Sequence, residues 1–242
     1  SRIWFLTGTP LVKGAMDLHP LLSFIQPGVW GKYKDYCEKY CLQRENKWKA
    51  SGIEYYGVKS SKELNKALKP LMLRRYKKDV VEDLPSKLFS TVPFNIGSGN
   101  FDIFTNDGIT RAILEKVEKG GVLDETVATT IRELGLKKVK SVVDFCCDSL
   151  HPNPLVIFAH HRLVLYDIAE QLREKGRKVE VLIGGKTAEK KQEYVNAFQG
   201  RKIDDLVCGI GVAGVGINLF RASRCVFAEL PWTWAAYEQA CD

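Results

Sequence analysis

The chain has 242 residues, of which 45% are hydrophobic and 27% charged, with a formal net charge of +7. This length and apolar content exclude a disordered chain and allow one large core or two modest ones. No apolar run approaches the roughly 20 residues that span a bilayer, and the surplus of positive charge favours a polyanionic partner over a membrane.

Ile3 to Leu6 reads as the end of a buried strand, and Thr7-Gly8-Thr9-Pro10 as the loop after it. Residues 16–25 have helical spacing, with Leu18, Leu21, Leu22 and Ile25 on one side. Pro27-Gly28 breaks that helix, and Trp30, Tyr33, Cys37, Tyr40 and Cys41 form a second helical stripe. Cys37 and Cys41 lack the second pair of ligands that a structural zinc site needs, so no metal is expected there. Residues 43–59 are polar and predicted to be irregular. Ser60-x-x-Glu63 has the form of a capping box, and the helix it opens is predicted to reach about Leu73. Pro85 ends a charged turn, and Leu88 to Phe94 alternates like a strand.

Residues 97–108 are rich in Gly, Asn and Asp and read as a linker. Two or three helices are predicted next, one of them starting at Asp124-Glu125. The last places Val139, Val142, Val143, Cys146 and Leu150 on one face. Strand and helix then alternate: strands over 155–159, 179–183, 206–210 and 225–228, with helices over 163–175 and 188–198. That order implies a parallel, doubly wound sheet. A final helix begins near Trp232 and shows no C-cap signal before Asp242. The chain is therefore expected to be a piece whose working parts continue past both ends. The seven cysteines, an odd count with Cys146 and Cys147 adjacent, read as reduced intracellular thiols.

Two motifs invite a cofactor reading. Gly209-x-Gly211-x-x-Gly214 has the spacing of a dinucleotide fingerprint, and Glu229 lies about where its ribose acid belongs. That fingerprint needs a full helix before the next strand, and residues 215–224 hardly hold one. Gly185-Lys186-Thr187 looks like the tail of a phosphate loop, but the glycine required five positions earlier is Glu180. No complete triphosphate site is expected in the chain.

Taken in order, the segments resemble the Swi/Snf-type DNA translocases of helicase superfamily two, and within them the annealing-helicase, or fork-remodelling, branch. Thr7, Gly8, Thr9 and Pro10, with the Asp17 to Leu22 helix after them, resemble motif III and its sequel. Val12-Lys13 stands where a polar pair is usual. Met72-Leu73-Arg74-Arg75, Lys78-Asp79-Val80 and Leu84-Pro85-x-Lys87 resemble the bridging segment. Val156 to His161 resembles motif IV, its double histidine pointing to the annealing-helicase branch. Gly185-Lys186-Thr187, Lys191 and Phe198 resemble the next block, and Gly214 to Leu219 resembles motif V. Glu229-Leu230-x-Trp232 and Gln239-Ala240-x-Asp242 resemble the approach to motif VI, with Trp234 and Ala235 where proline and glycine are common.

The resemblance implies an α/β fold: a RecA-like parallel doubly wound sheet, a truncated second helicase lobe, preceded by the mostly helical end of the first lobe. It divides the chain into 1–94, the end of the first lobe; 95–136, linker and helices; and 137–242, the second lobe. It implies a DNA-stimulated motor using ATP and Mg2+, with double-stranded or forked DNA and the first-lobe motor core as partners. Motifs I and II and the arginines of motif VI are absent, so the ATP site is incomplete and the chain alone is expected to be inactive. Thr7, Gly8, Thr9 and Pro10 would couple ATP to DNA. Lys186, Thr187, Lys191, Gly214, Gly216 and Asn218 would bind DNA. Gly216, Glu229, Gln239 and Asp242 would approach the ATP cleft, and Arg74 and Arg75 would sit in the bridging segment. The family's location is intracellular, in the nucleus of a eukaryote or the cytoplasm or nucleoid otherwise. A non-enzymatic nucleic-acid-binding module on the same fold remains the alternative, with a Rossmann cofactor domain behind it.

Overall fold

A computed structural model of the chain describes residues 3–47, 49–75, 86–94, 125–213 and 217–241. The expected linker over 97–108, Lys78-Asp79-Val80, Leu84-Pro85, Asp124, Gly214, Gly216 and Asp242 lie outside the described residues. The chain divides into two compact units, Ser1–Pro93 and Phe94–Asp242.

The first unit is a small helical cluster with one hairpin. A 3-10 turn, Ala15–Leu18, leads into α1, His19–Ile25; α2 is Tyr33–Tyr40 and α3 is Ser61–Leu68. Leu18, Leu22, Tyr36, Cys37, Tyr40, Cys41, Leu64 and Leu68 form its core. Tyr36, which the helical stripe omitted, is buried and donates its hydroxyl to the Ala15 carbonyl at 3.0 Å. Tyr33 and Ile25, placed on apolar faces from sequence, are exposed. One carboxylate oxygen of Asp17 accepts the backbone N–H groups of Val12, Lys13 and Gly14 at 2.8, 2.6 and 3.1 Å. Val12 and Lys13 thus contribute backbone to this turn, which explains why their unusual side chains are tolerated. Gly14 lies against Gly57, where a Cβ would stand 2.5 Å from the Gly57 nitrogen, so only glycine fits.

Several expectations for this unit are corrected. Ile3 to Leu6 is not a strand: no strand of the described residues lies beside it to pair its backbone, and Leu6 is 96% exposed. Residues 88–94 form no strand for the same reason, and of them only Phe94, the first residue of the second unit, finds a core, against Phe145 of that same unit. The region read as irregular contains an antiparallel hairpin, β1 Leu42–Glu45 with β2 Ile53–Tyr56. Arg44 and Glu54 face each other across it at 2.8 Å, so a charged pair holds what an apolar alternation usually signals. The Ser60 side chain makes no cap bond, and Glu63 is turned to Lys39 at 3.1 Å instead of back to the helix start. The helix ends at Leu68 rather than Leu73, just before Pro70, which has no N–H to continue it.

The second unit carries the sheet. The helix predicted from Glu125 and the one over 139–150 are a single long helix, α4 Glu125–Phe145, which closes with a π turn at Cys146–Leu150, while residues 109–124 lie outside the described residues. Then follow β3 Leu155–Ala159, α5 Arg162–Glu174, β4 Val179–Leu182, α6 Ala188–Gln199 and β5 Asp205–Gly209. A short α7 Ile210–Ala213, β6 Arg224–Phe227 and α8 Trp234–Cys241 complete it. The strands run in the order β4-β5-β3-β6 and pair in parallel throughout. Side chains alternate between faces. Leu155, Ile157 and Ala159 pack with Val139, Val143 and Ile168 on one face. Val156 and Phe158 pack with Phe198, Leu206 and Cys208 on the other. Helices cover both faces, which is the doubly wound arrangement expected.

The amino ends of the strands are tied by a buried ion pair that the sequence does not signal. Asp205 is fully buried and Arg177 is 7% exposed. Arg177 pairs with both Asp205 oxygens, through Nε and, at 2.6 Å, through Nη2. The Leu155 N–H donates to the same carboxylate at 3.0 Å, and Arg177 also reaches the Asn153 carbonyl at 3.2 Å. All seven cysteines are thiols. Burial pushes Cys41 and Cys146 up to about 12, keeping them protonated at neutral pH. Among the described residues no cluster of His, Cys, Asp or Glu could hold a metal, and no helix is long and apolar enough to cross a membrane.

Candidate nucleic-acid interface

The parallel strands all end on one edge of the sheet, the edge where such folds gather ligands. After β3 come His160 and His161. One Glu229 oxygen accepts their backbone N–H groups at 2.8 and 2.9 Å, and the other meets His161 Nδ1 at 2.7 Å. Glu229 is 6% exposed, so it turns inward and clips the end of β6 to the end of β3 and the start of α5. Helix α4 closes over this joint: Lys138 Nζ donates to the Ala228 carbonyl at 2.9 Å. A Cβ at Gly135 would lie 2.5 Å from Glu229 Oε1 and 2.8 Å from Val164, which is why a helix interior holds glycine there. The His160 ring stands edge-on to Trp232 with centroids 6.4 Å apart.

After β4 come Gly184, Gly185, Lys186 and Thr187. Thr187 is the N-cap of α6 and accepts the Lys190 N–H at 3.3 Å. The Glu189 carboxyl nearby is held below the usual range by its own backbone N–H and the Thr187 hydroxyl. A phosphate at this helix start would compete with that carboxylate. Lys186 rests on Tyr194, 3.1 Å from its hydroxyl and 4.8 Å from its ring centroid, and Lys190 pairs with Glu193 at 2.7 Å. Lys191 is different. It is half-buried and has no ion pair or hydrogen bond to its ammonium among the described residues.

After β5, the segment from Ile217 to Ala222 crosses in front of α6. Gln199 holds it by donating to the Asn218 carbonyl at 2.7 Å and accepting the Arg221 N–H at 3.1 Å. Arg221 then reaches the Phe198 and Ile203 carbonyls, both at 2.5 Å. Between α6 and this segment runs an open groove of about 530 Å³, lined by Lys191, Gln192, Gln199, Val212, Asn218 and Phe220 among others. The structure thus brings Lys191 and Asn218 into one groove, with Lys186 and Thr187 at the start of the same helix. Gln239 is half-buried on α8, which starts at Trp234 with Thr233 accepting the Ala236 N–H at 3.2 Å. In the first unit, Thr7 to Pro10 form a turn in which Thr9 N–H donates to the Thr7 hydroxyl at 3.2 Å. Arg74 and Arg75 are exposed beyond α3. Gln199, Arg221, Gly135 and Lys138 were not singled out from sequence. Their partners lie 18 to 94 residues away (Lys138 to Ala228 is 90, Gly135 to Glu229 is 94), so no local pattern marks them.

Two family models match the chain. The SNF2-related domain matches residues 1–143 and the helicase conserved C-terminal domain matches residues 136–242. The chain belongs to the SNF2-related helicase family, and its second unit is a RecA-like fold. It is 27% identical over 249 residues to the SWI/SNF-related matrix-associated actin-dependent regulator of chromatin subfamily A-like protein 1 of Xenopus tropicalis, covering all of this chain and 26% of that one. It is 28% identical over 252 residues to the human DNA annealing helicase and endonuclease ZRANB3, covering 100% and 23%. A Caenorhabditis elegans homologue of the first is 30% identical over 251 residues, covering 100% and 35%. The chain spans about a quarter to a third of the length of these relatives.

Proposed function

We propose that the chain is part of an ATP-dependent motor that moves on duplex or forked DNA and remodels DNA or protein–DNA complexes. The observation that carries this is the groove along α6, which the unpaired Lys191 ammonium and Asn218 both line, with Lys186 and Thr187 at the start of the same helix. Point charges and amides on a backbone-accessible edge suit phosphate contacts, which position a protein on DNA without reading sequence. The similarity to a DNA annealing helicase supports the same reading. In it, residues 1–94 are the end of the first lobe, 95–136 a connection and 137–242 the second lobe. Thr7 to Pro10 link the ATP cleft to the DNA track, Arg74 and Arg75 bridge the lobes, and Glu229, Gln239 and Asp242 lie on the approach to the cleft. Such a motor works inside the cell, in the nucleus where there is one.

The chain's own residues do not fit the triphosphate that the motor uses. Glu180, where a phosphate loop needs glycine, sits in β4, and the Lys186 ammonium is held by Tyr194. ATP and Mg2+ would be held by motifs I and II of the first lobe and the motif VI arginines. The chain alone is therefore expected to release no phosphate above a boiled control, with or without DNA. The full-length protein is expected to hydrolyse ATP and to do so faster with DNA. Turnover near one per second by the chain alone would overturn this division of labour. A full-length protein with no DNA-stimulated turnover would instead favour a non-enzymatic DNA-binding module.

A further inference from the structure

Phe220 is 85% exposed at the mouth of the groove. An apolar ring in that position is costly to leave in water, and the segment around it is built to keep it there. Ile217 and Leu219 point into the core cluster, so Asn218 and Phe220 point out. The Gln199 amide grips the chain on both sides of Phe220, at the Asn218 carbonyl and the Arg221 N–H. Arg221 fixes the far side through the Phe198 and Ile203 carbonyls and lies over the Phe198 ring at 5.0 Å. Phe220 is thus presented on a clamped segment.

Its surroundings are mixed: Ala188, Val195, Val212 and Ile217 line the groove beside the polar side chains. The groove's lining residues carry one charge, the Lys191 ammonium, together with the amides of Gln192, Asn196, Gln199 and Asn218, and no carboxylate. A hydrophobic protein partner would need a wider exposed apolar patch than this, since Val195 is buried and Val212 and Ile217 are half-buried, which leaves Phe220 as the one large apolar side chain exposed in the groove. A flat aromatic face beside an unpaired cation matches a nucleotide whose base stacks while its phosphate meets the charge. Paired bases in a duplex keep their faces covered, so only an unpaired base can use Phe220.

Resting on the DNA-binding reading above, we infer that Phe220 is a stacking platform for an unpaired base, and that with Lys191 it makes this groove recognise the junction between duplex and single-stranded DNA.

The test measures anisotropy of three labelled probes with the purified chain: a blunt duplex, a fork with unpaired arms, and the same fork with abasic arms. Tighter binding to the natural fork than to the other two is expected. Phe220→Ala should weaken fork binding by roughly five- to 150-fold, the range one stacked base supplies, and weaken blunt-duplex binding far less. Phe220→Trp should retain the preference. A Phe220→Ala chain that binds the fork like the parent, or abasic arms that bind as well as natural ones, would overturn the inference. If Phe220→Ala weakens all three probes equally, the ring acts as general contact surface and the junction role is refuted. Failure of the DNA-binding reading shows separately, as blunt-duplex affinity insensitive to Lys191→Ala.

Discussion

Replacing Asp205 by alanine should cost about 3–5 kcal/mol of stability, the range found when one partner of a buried ion pair is removed. The reason is the residue left behind. Arg177 is 7% exposed and would keep its charge with only the Asn153 carbonyl near it. The Leu155 N–H, at the entry to the central β3, would lose its acceptor as well. A domain is stable by only about 5–15 kcal/mol, so this one change removes a large share. Asp205→Asn should cost less, because its amide oxygen can still accept from Leu155. Urea melts of the two variants beside the parent measure both effects, and a loss below about 1 kcal/mol for Asp205→Ala would contradict the assignment.

The second large effect is expected at Glu229. In Glu229→Ala the N–H groups of His160 and His161 lose their acceptor where α5 begins, and His161 Nδ1 loses its partner. The two backbone donors are part-buried, which puts each toward the lower end of the about 1–3 kcal/mol that an unmet donor costs, so the loss should be roughly 2–4 kcal/mol. Glu229→Gln keeps one acceptor oxygen for the two backbone donors and should fall well short of that. The joint also sets where the β3 end stands on the edge proposed to face DNA. DNA-stimulated ATP hydrolysis by the full-length protein should therefore drop in Glu229→Ala below what the lost folded fraction explains. A variant as stable as the parent would show that Glu229 is not the clip the geometry describes.

The second unit was legible in the sequence because its forces are local. Buried parallel strands such as Leu155–Ala159 read as unbroken apolar runs, and α5 and α6 show helical spacing between them. The first unit was harder. Its hairpin is held by Arg44 and Glu54, which read as solvent-facing residues. The Ser60-x-x-Glu63 pattern opens α3 without a cap bond, and Lys39, 24 residues earlier, takes the Glu63 carboxylate. Ile3 to Leu6 has the composition of a strand, but composition supplies no partner. In the candidate site, motif resemblance singled out Lys191, Asn218 and Glu229. It could not show that Lys186 rests on Tyr194, that the Thr187 hydroxyl holds the Glu189 carboxyl, or that Glu229 points inward. Those depend on contacts that only the folded chain creates.

The most direct measurement of the proposed interface is the salt dependence of duplex DNA binding by the parent chain and by the Lys186→Ala, Lys191→Ala double variant. Each neutralised phosphate contributes about −0.9 to the slope of log affinity against log salt, and the parent is expected to show roughly two to four such contacts. The folded double variant should bind all duplex sequences more weakly and to a similar degree, with a slope flatter by about one to two units. Lys191, whose ammonium has no partner among the described residues, should account for the larger part. A folded double variant with the parent's affinity and slope would contradict the placement of DNA on this edge of the sheet.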